Sequence, residues 1–182
     1  TIAMSYGTPI RIPGAVNLTL DINQSESEPF YADDSVYYLL PGSDDGRTGN
    51  IEVALFPDEI KTAAMNYIKD SKGVVLETTI TDLIYGALTF EISTDSKARR
   101  FVYYKVGLGK PSLSAATTAG SKTPQTETAA VNCLPTTKTF TLTKGDETVT
   151  TPLVSSYTSE EVNPQAYESW NQTIYMPEES VG

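Results

Sequence analysis

Histidine is absent from the 182 residues, and cysteine occurs once, at Cys133. The first absence removes the commonest general base, the commonest metal ligand and the central member of a Ser-His-Asp or Cys-His arrangement. The second excludes an intramolecular disulfide and a thiolate metal site, and leaves Cys133 as a small buried or half-buried hydrophobe. No apolar run approaches the roughly 20 residues of a bilayer span, and no charged-then-apolar signal pattern is present, so a membrane partner is not expected. Positive charge is scarce as well: 13 basic against 23 acidic residues give a net charge of −10. Such a surface repels phosphate backbones, which argues against a sequence-reading nucleic-acid binder. The nearest approach to a phosphate-binding glycine motif, Gly107-Leu108-Gly109, lacks a third glycine. No Ser-x-x-Lys occurs, and without histidine no Ser or Thr hydroxyl has an evident activating base. Neither a cofactor nor a metal is expected.

What is present is mainly β pattern. The length suits one domain, 1–182, with a single sizeable core. Val16 to Ile22 alternates apolar and polar residues, the period-2 pattern of a half-buried strand. Tyr31 to Leu40 reads as an aromatic strand ending at Pro41-Gly42, and PGSDDGRTGN, 41–50, reads as a long protruding loop before a strand over Ile51 to Phe56. One helix is expected after Pro57-Asp58, with Ile60, Ala63, Ala64, Tyr67 and Ile68 on its buried face and Gly73 as its stop, about three to four turns in all. Further strands are expected over Val74 to Ile80, over the hairpin arms Ile84–Ser93 and Arg99–Leu108, and over Thr126–Leu134 and Thr137–Thr143. Residues 109–125 read as a second long loop. The aromatic-bearing tail 157–182 is expected to dock as an arm, and Asn163-Pro164 within it carries only turn chemistry. The sum is about eight strands in a β-sandwich or barrel, with one flanking helix and long loops or arms.

Adjacent carboxylates are the remaining candidates for chemistry, because two carboxylates can run glycoside hydrolysis without histidine. They are Asp33-Asp34, Asp44-Asp45, Glu160-Glu161 and Glu178-Glu179. Neighbours on a strand point to opposite faces, so Asp33 and Asp34 are expected to part company across a continuous strand instead of meeting at one bond or ion. Asp44-Asp45-Gly46 lacks the spacing and the closing Glu of a calcium loop. Arg99-Arg100, a basic pair at a strand start, reads as a solvated end that blunts edge pairing.

An ordered set of short segments carries a resemblance over about residues 6–135. It runs Tyr6-Gly7-Thr8-Pro9, Pro13 to Asp21, Phe30 to Asp34, Tyr37-Tyr38, Gly49 to Leu55 and Pro57, then Ala98 to Tyr104, Pro111-Ser112 and Thr126 to Thr128. In these the chain resembles the major tail proteins of long-tailed bacteriophages, of the type found in prophages of Gram-positive bacteria. The resemblance implies a tail-tube subunit located in the virion tail, and in the host cytoplasm during assembly. Six copies would form a ring and rings would stack into a hollow conduit for double-stranded DNA, which passes without sequence-specific binding. The implied partners are other copies of the chain, the tape-measure protein inside the tube, and the tail-terminator and distal-tail proteins at its ends. The segment before Tyr6 is shorter than in the family, so one N-terminal contact with a neighbour is expected to be missing.

No catalysis is expected under this reading, and an acidic lumen would keep DNA off the wall. Candidate inter-subunit contacts are Asp33, Asp34, Asp44, Asp45, Arg47, Arg99, Arg100, Trp170 and Tyr175, with 41–50, 109–125 and 157–182 as the segments that order on assembly. Two other readings stand beside it: a carbohydrate- or ligand-binding β-sandwich module stacking on Tyr31, Tyr37, Tyr38 and Trp170, and an enzyme built on carboxylates distant in sequence.

Overall fold

The computed structural model describes residues 4–113 and 125–179. The chain is mainly β, a curled antiparallel sheet of the sandwich or barrel-like class with short helices against it. The elements run β1 (Ala15–Gln24), β2 (Glu28–Ala32), β3 (Ser35–Leu40), β4 (Asp44–Val53), α1 (Asp58–Ala64), β5 (Tyr67–Lys69), β6 (Val75–Glu77), β7 (Tyr85–Glu91), β8 (Arg100–Leu108), β9 (Ser112–Leu113), β10 (Glu127–Leu134), β11 (Thr139–Lys144), β12 (Glu147–Pro152), β13 (Ser155–Thr158) and α2 (Pro164–Ser169). The main sheet orders β1-β4-β10-β8-β13, with β7 paired to β8 and β9 to β10. The pairs β2-β3, β5-β6 and β11-β12 stand outside it as two-stranded ribbons.

Residues 15–53 form one long antiparallel hairpin. Its base, β1 against β4, is stitched into the sheet from Ala15↔Val53 to Gln24↔Asp44. Beyond that level the two strands are pinched together: Ser25 N donates to Ser43 O at 3.0 Å, and Ser43 N donates to Ser25 Oγ at 2.8 Å. The ribbon then continues as β2 against β3, from Glu28↔Leu40 to Ala32↔Ser35. Two sequence expectations are corrected here. The 41–50 loop shrinks to the pinch at 41–43, because β4 begins at Asp44. Its glycine-rich composition serves close strand approach: Gly46 has φ +105, and a Cβ there would sit 2.0 Å from the Cys133 carbonyl oxygen. The continuous strand expected through Tyr31–Leu40 is two strands, and Asp33-Asp34 is the turn between them.

The helix is also shorter than the pattern suggested. α1 ends at Ala64, Asn66 takes the left-handed conformation at φ +58, and Tyr67 and Ile68 pair in β5 with Glu77 and Leu76. A left-handed residue just past the last turn ends a helix as effectively as a glycine does. Only Ile60 of the expected face is buried. The carboxylate of Glu127 ties α1 to the sheet: it accepts from Phe56 N at 2.7 Å and from Lys61 Nζ at 2.7 Å. The second helix, α2, arises where only a turn was expected. Asn163 caps it by accepting from Ala166 N at 3.0 Å, and Pro164 fills the first turn, where a missing N–H costs nothing.

Strand β8 serves two cores. Gly86 pairs with Val106 but Leu88 pairs with Tyr103, so Ala87 opposes two residues, Tyr104 and Lys105. This β-bulge reverses which face the even positions meet. Beyond it Val106 joins the larger core of Ile51, Val53, Phe56, Met65, Val131 and Cys133, while before it Val102 and Tyr104 join a smaller core around Trp170. The smaller core gathers both ends of the described chain, Met4 and Tyr6 from one and Ile174 and Met176 from the other. Tyr6 donates its hydroxyl to the Tyr104 carbonyl at 2.8 Å, and burial pushes its phenol up to about 12. Cys133 is buried and free as expected, its thiol pushed up to about 11 by burial against the opposing pull of Arg47.

Candidate assembly interface

The projecting ribbon β2-β3 exposes apolar side chains on both faces: Phe30, Tyr31, Val36, Tyr37, Tyr38, Leu39 and Leu40 are all exposed. An isolated two-stranded ribbon is marginal in water, and a contiguous apolar surface of this kind marks a contact site. Within the ribbon, beyond its backbone pairing, Phe30 stacks on Tyr38 with ring centroids 4.9 Å apart, Tyr37 is edge-on to Tyr38 at 6.0 Å, and Ser35 Oγ donates to the Ala32 carbonyl at 3.2 Å. A bulge falls here too. Phe30 pairs with Tyr38 and Tyr31 with Val36, leaving Tyr37 as the extra residue, 73% exposed. Bulges re-aim side chains, and this one presents a phenol ring to solvent.

The tip is Asp33-Asp34, with φ +50 and +56. Positive φ at both central residues of a two-residue loop is the type I′ geometry that matches strand twist, and Asp tolerates it better than most non-glycine residues. The two carboxylates therefore sit together at the ribbon's end, not on opposite faces of a strand.

The other expected contact residues scatter. At the ribbon's base, Asp44 Oδ1 accepts from Arg47 at 2.7 Å and from Gly46 N at 3.1 Å, and the arginine hydrogen bond holds this carboxyl below its usual range. Arg47 also donates to the Gly46 carbonyl at 2.6 Å, and Asp45 is exposed beside them. Arg99 and Arg100 lie at the far end of β8. Arg99 pairs with Asp95, whose carboxyl it holds low, and lies over the rings of Phe101 and Tyr157. Arg100 donates to Glu91 at 2.7 Å and to the Tyr167 carbonyl, with its guanidinium 3.7 Å from the Tyr167 ring centre. Both arginines are thus spent within the fold.

Trp170 is corrected outright as a surface contact: it is 2% exposed in the smaller core, stacked on Tyr175 at 5.3 Å. Burial removes it equally from a sugar-stacking platform. The tail docks as expected, but on its own chain through residue 179, fastened by Lys138–Glu179 at 2.5 Å and Lys97–Glu161 at 3.1 Å. Of the expected loop 109–125, Ser112–Leu113 is a short strand, and 114–124 lie outside the described residues. The carboxylate pairs do not assemble into a metal site, since no group of three or more His, Cys, Asp or Glu suited to an ion occurs among the described residues. No helix among them is long and apolar enough to cross a membrane.

The order of charges along the sequence carries a further signal. Between Arg11 and Arg47 every charged residue is acidic: Asp21, Glu26, Glu28, Asp33, Asp34, Asp44 and Asp45. Between Asp95 and Glu127 every charged residue is basic: Lys97, Arg99, Arg100, Lys105, Lys110 and Lys122. Such block segregation puts runs of opposite sign at separate places along the chain, although Lys97, Arg99 and Arg100 are each matched within the fold by Glu161, Asp95 and Glu91. No family model, curated protein or solved structure matches this chain.

Proposed function

We propose that the chain is a structural protein that works by self-assembly. More particularly, we read it as the tail-tube subunit of a long-tailed bacteriophage, six copies to a ring and rings stacked into a hollow conduit for the genome. In that setting its partners are neighbouring copies, the tape-measure protein, the tail-terminator and distal-tail proteins, and DNA in transit. The observation that carries the reading is the β2-β3 ribbon, an apolar projection with an acidic tip that contributes little to its own fold and is suited to a second surface. The net charge of −10 fits a wall that DNA must pass without sticking. Among the described residues β1 and β7 each keep an edge without a strand partner, which is what ring closure needs, since an unpaired strand edge is satisfied by a neighbour.

The test is direct. Purified protein taken to its highest soluble concentration should give rings or tubes of uniform diameter in negative-stain microscopy; persistent monomers overturn the reading. A second reading, a carbohydrate-binding module, draws on the exposed Tyr31, Tyr37 and Tyr38. Monomers that bind immobilised glycans through those tyrosines favour it instead.

A further inference from the structure

The strand register sets the projecting ribbon and an apolar groove at different levels of the sheet. The ribbon leaves the sheet beyond Asp44. Asn50 of the same strand is level with Ala130, and Ala130 O accepts from Gly109 N at 2.9 Å. Six residues of strand separate the two levels, about 20 Å. At the Gly109 level lies a groove of about 260 Å³ walled by Met65, Ile80, Leu83 and Leu108, with Asp82 and Lys110 at its polar margin. A cavity of about 150 Å³ holds a benzene ring, so this one has room for a phenol. Around it Ile80, Leu83, Ile84 and Tyr85 are exposed, as are Ile68 and Leu76 on the adjoining ribbon β5-β6.

The groove's charged lining is Lys110 and Asp82, and Lys105 lies outside it, donating to Thr137 Oγ1 at 3.0 Å. Lys97, Arg99 and Arg100, from the first part of the basic run, each have a carboxylate partner. Lys105 and Lys110, at its later end, make no ion pair among the described residues. The Lys110 ammonium donates to the Thr78 carbonyl, and Lys105 lies 5.2 Å from the Tyr85 ring centre. Asp82 engages the α1–β5 turn through its carbonyl, which accepts from Asn66 Nδ2 at 2.6 Å.

We propose that this groove is the acceptor for the β2-β3 ribbon of a second copy: Tyr37 enters between Ile80, Leu83 and Leu108, and the Asp33-Asp34 tip meets Lys110. The inference rests on the self-assembly reading and names its two complementary surfaces. The contact is heterologous, ribbon to groove, so each copy presents a free ribbon at one level and a free groove at another, and the assembly propagates head to tail.

The test uses charge exchange in the full chain. Asp34→Lys and Lys110→Glu should each raise the concentration at which sedimentation detects assembly by about tenfold or more. An equimolar mixture of the two variants should assemble near the wild-type concentration, because the lysine introduced at one tip then meets the carboxylate introduced in the other groove, while the unchanged Asp33-Asp34 tip meets Lys110. Tyr37→Ser should weaken assembly without rescue by either variant, and unchanged thermal melts separate loss of contact from loss of fold. If wild-type tubes form and both charge variants assemble as well as wild type, or if the mixture fails to recover, the groove assignment falls while the assembly reading stands. A wild-type chain that stays monomeric overturns both.

Discussion

The two halves of the 15–53 hairpin are built from the same antiparallel pairing and end in opposite circumstances. In the base, Ile51 and Val53 are buried, because β10 lies on the other side of β4 and α1 covers the face. In the projecting half, every residue of β3 is exposed, and nothing among the described residues buries Tyr37, Leu39 or Leu40. Apolar content alone therefore does not say where a core is; neighbours do. A stretch rich in β-branched and aromatic residues is stabilising where a third strand arrives and is a contact surface where none does.

The contrast is broken most severely in the base. Ile51→Ala should lower stability by about 2–5 kcal/mol, whereas Leu39→Ser in the projecting half should change it by about 0.5 kcal/mol or less in the isolated chain, both read from denaturant melts. Comparable losses from the two would mean that the ribbon packs on its own subunit. Glu127→Ala strikes the anchor that keeps the base covered, leaving Lys61 and the Phe56 amide without their partner, and should cost about 2–4 kcal/mol.

Alkali probes burial in the two cores, Cys133 in the larger and Tyr6 in the smaller. The Cys133 thiol rises from 9.0 to about 11 and the Tyr6 phenol from 10.0 to about 12 on folding. Groups raised in this way contribute stability that is whole below their unfolded values and fades as pH climbs through the folded ones. The melting temperature should hold to about pH 9 and fall toward pH 12, with Cys133→Ala delaying the onset.

At the junction, Gly42→Ala places a Cβ 1.9 Å from the Ser25 carbonyl oxygen, so the pinch must open. Faster amide exchange should appear in 28–40 and not in 15–22, at a cost of about 1 kcal/mol. The smallest effect belongs to the tip. Asp33→Asn combined with Asp34→Gly supplies the residues that a type I′ turn prefers, and should slow exchange across β2-β3 by a few tenths to about 1 kcal/mol. A faster exchange instead would show that the carboxylates stabilise the turn.

Legibility along the sequence tracks how local the deciding interaction is. Alternation from Val16 to Ile22, and two arms about the polar turn at 94–98, mark strands that the sheet contains, since both signals lie within a few residues of one another. The turn at Asp33-Asp34 was hidden because no glycine or asparagine marks it; strand twist and the Ala32↔Ser35 pairing impose positive φ on two aspartates. PGSDDGRTGN reads as a loop from composition, yet its glycine at 46 answers to the carbonyl of Cys133, a residue far along the chain. The helical pattern beyond Ala64 lost to a β5-β6 ribbon for the same kind of reason.

The absence of histidine, the lone buried thiol, the acidic balance and the mainly β class belong to the sequence by itself, because composition and short-range periodicity decide them. Which apolar segments are core and which are surface, the switch of β8 between two cores, the burial of Trp170 and the separate levels of ribbon and groove belong to the tertiary structure. Each depends on a partner strand or side chain distant in sequence, and no local pattern records where that partner comes to rest.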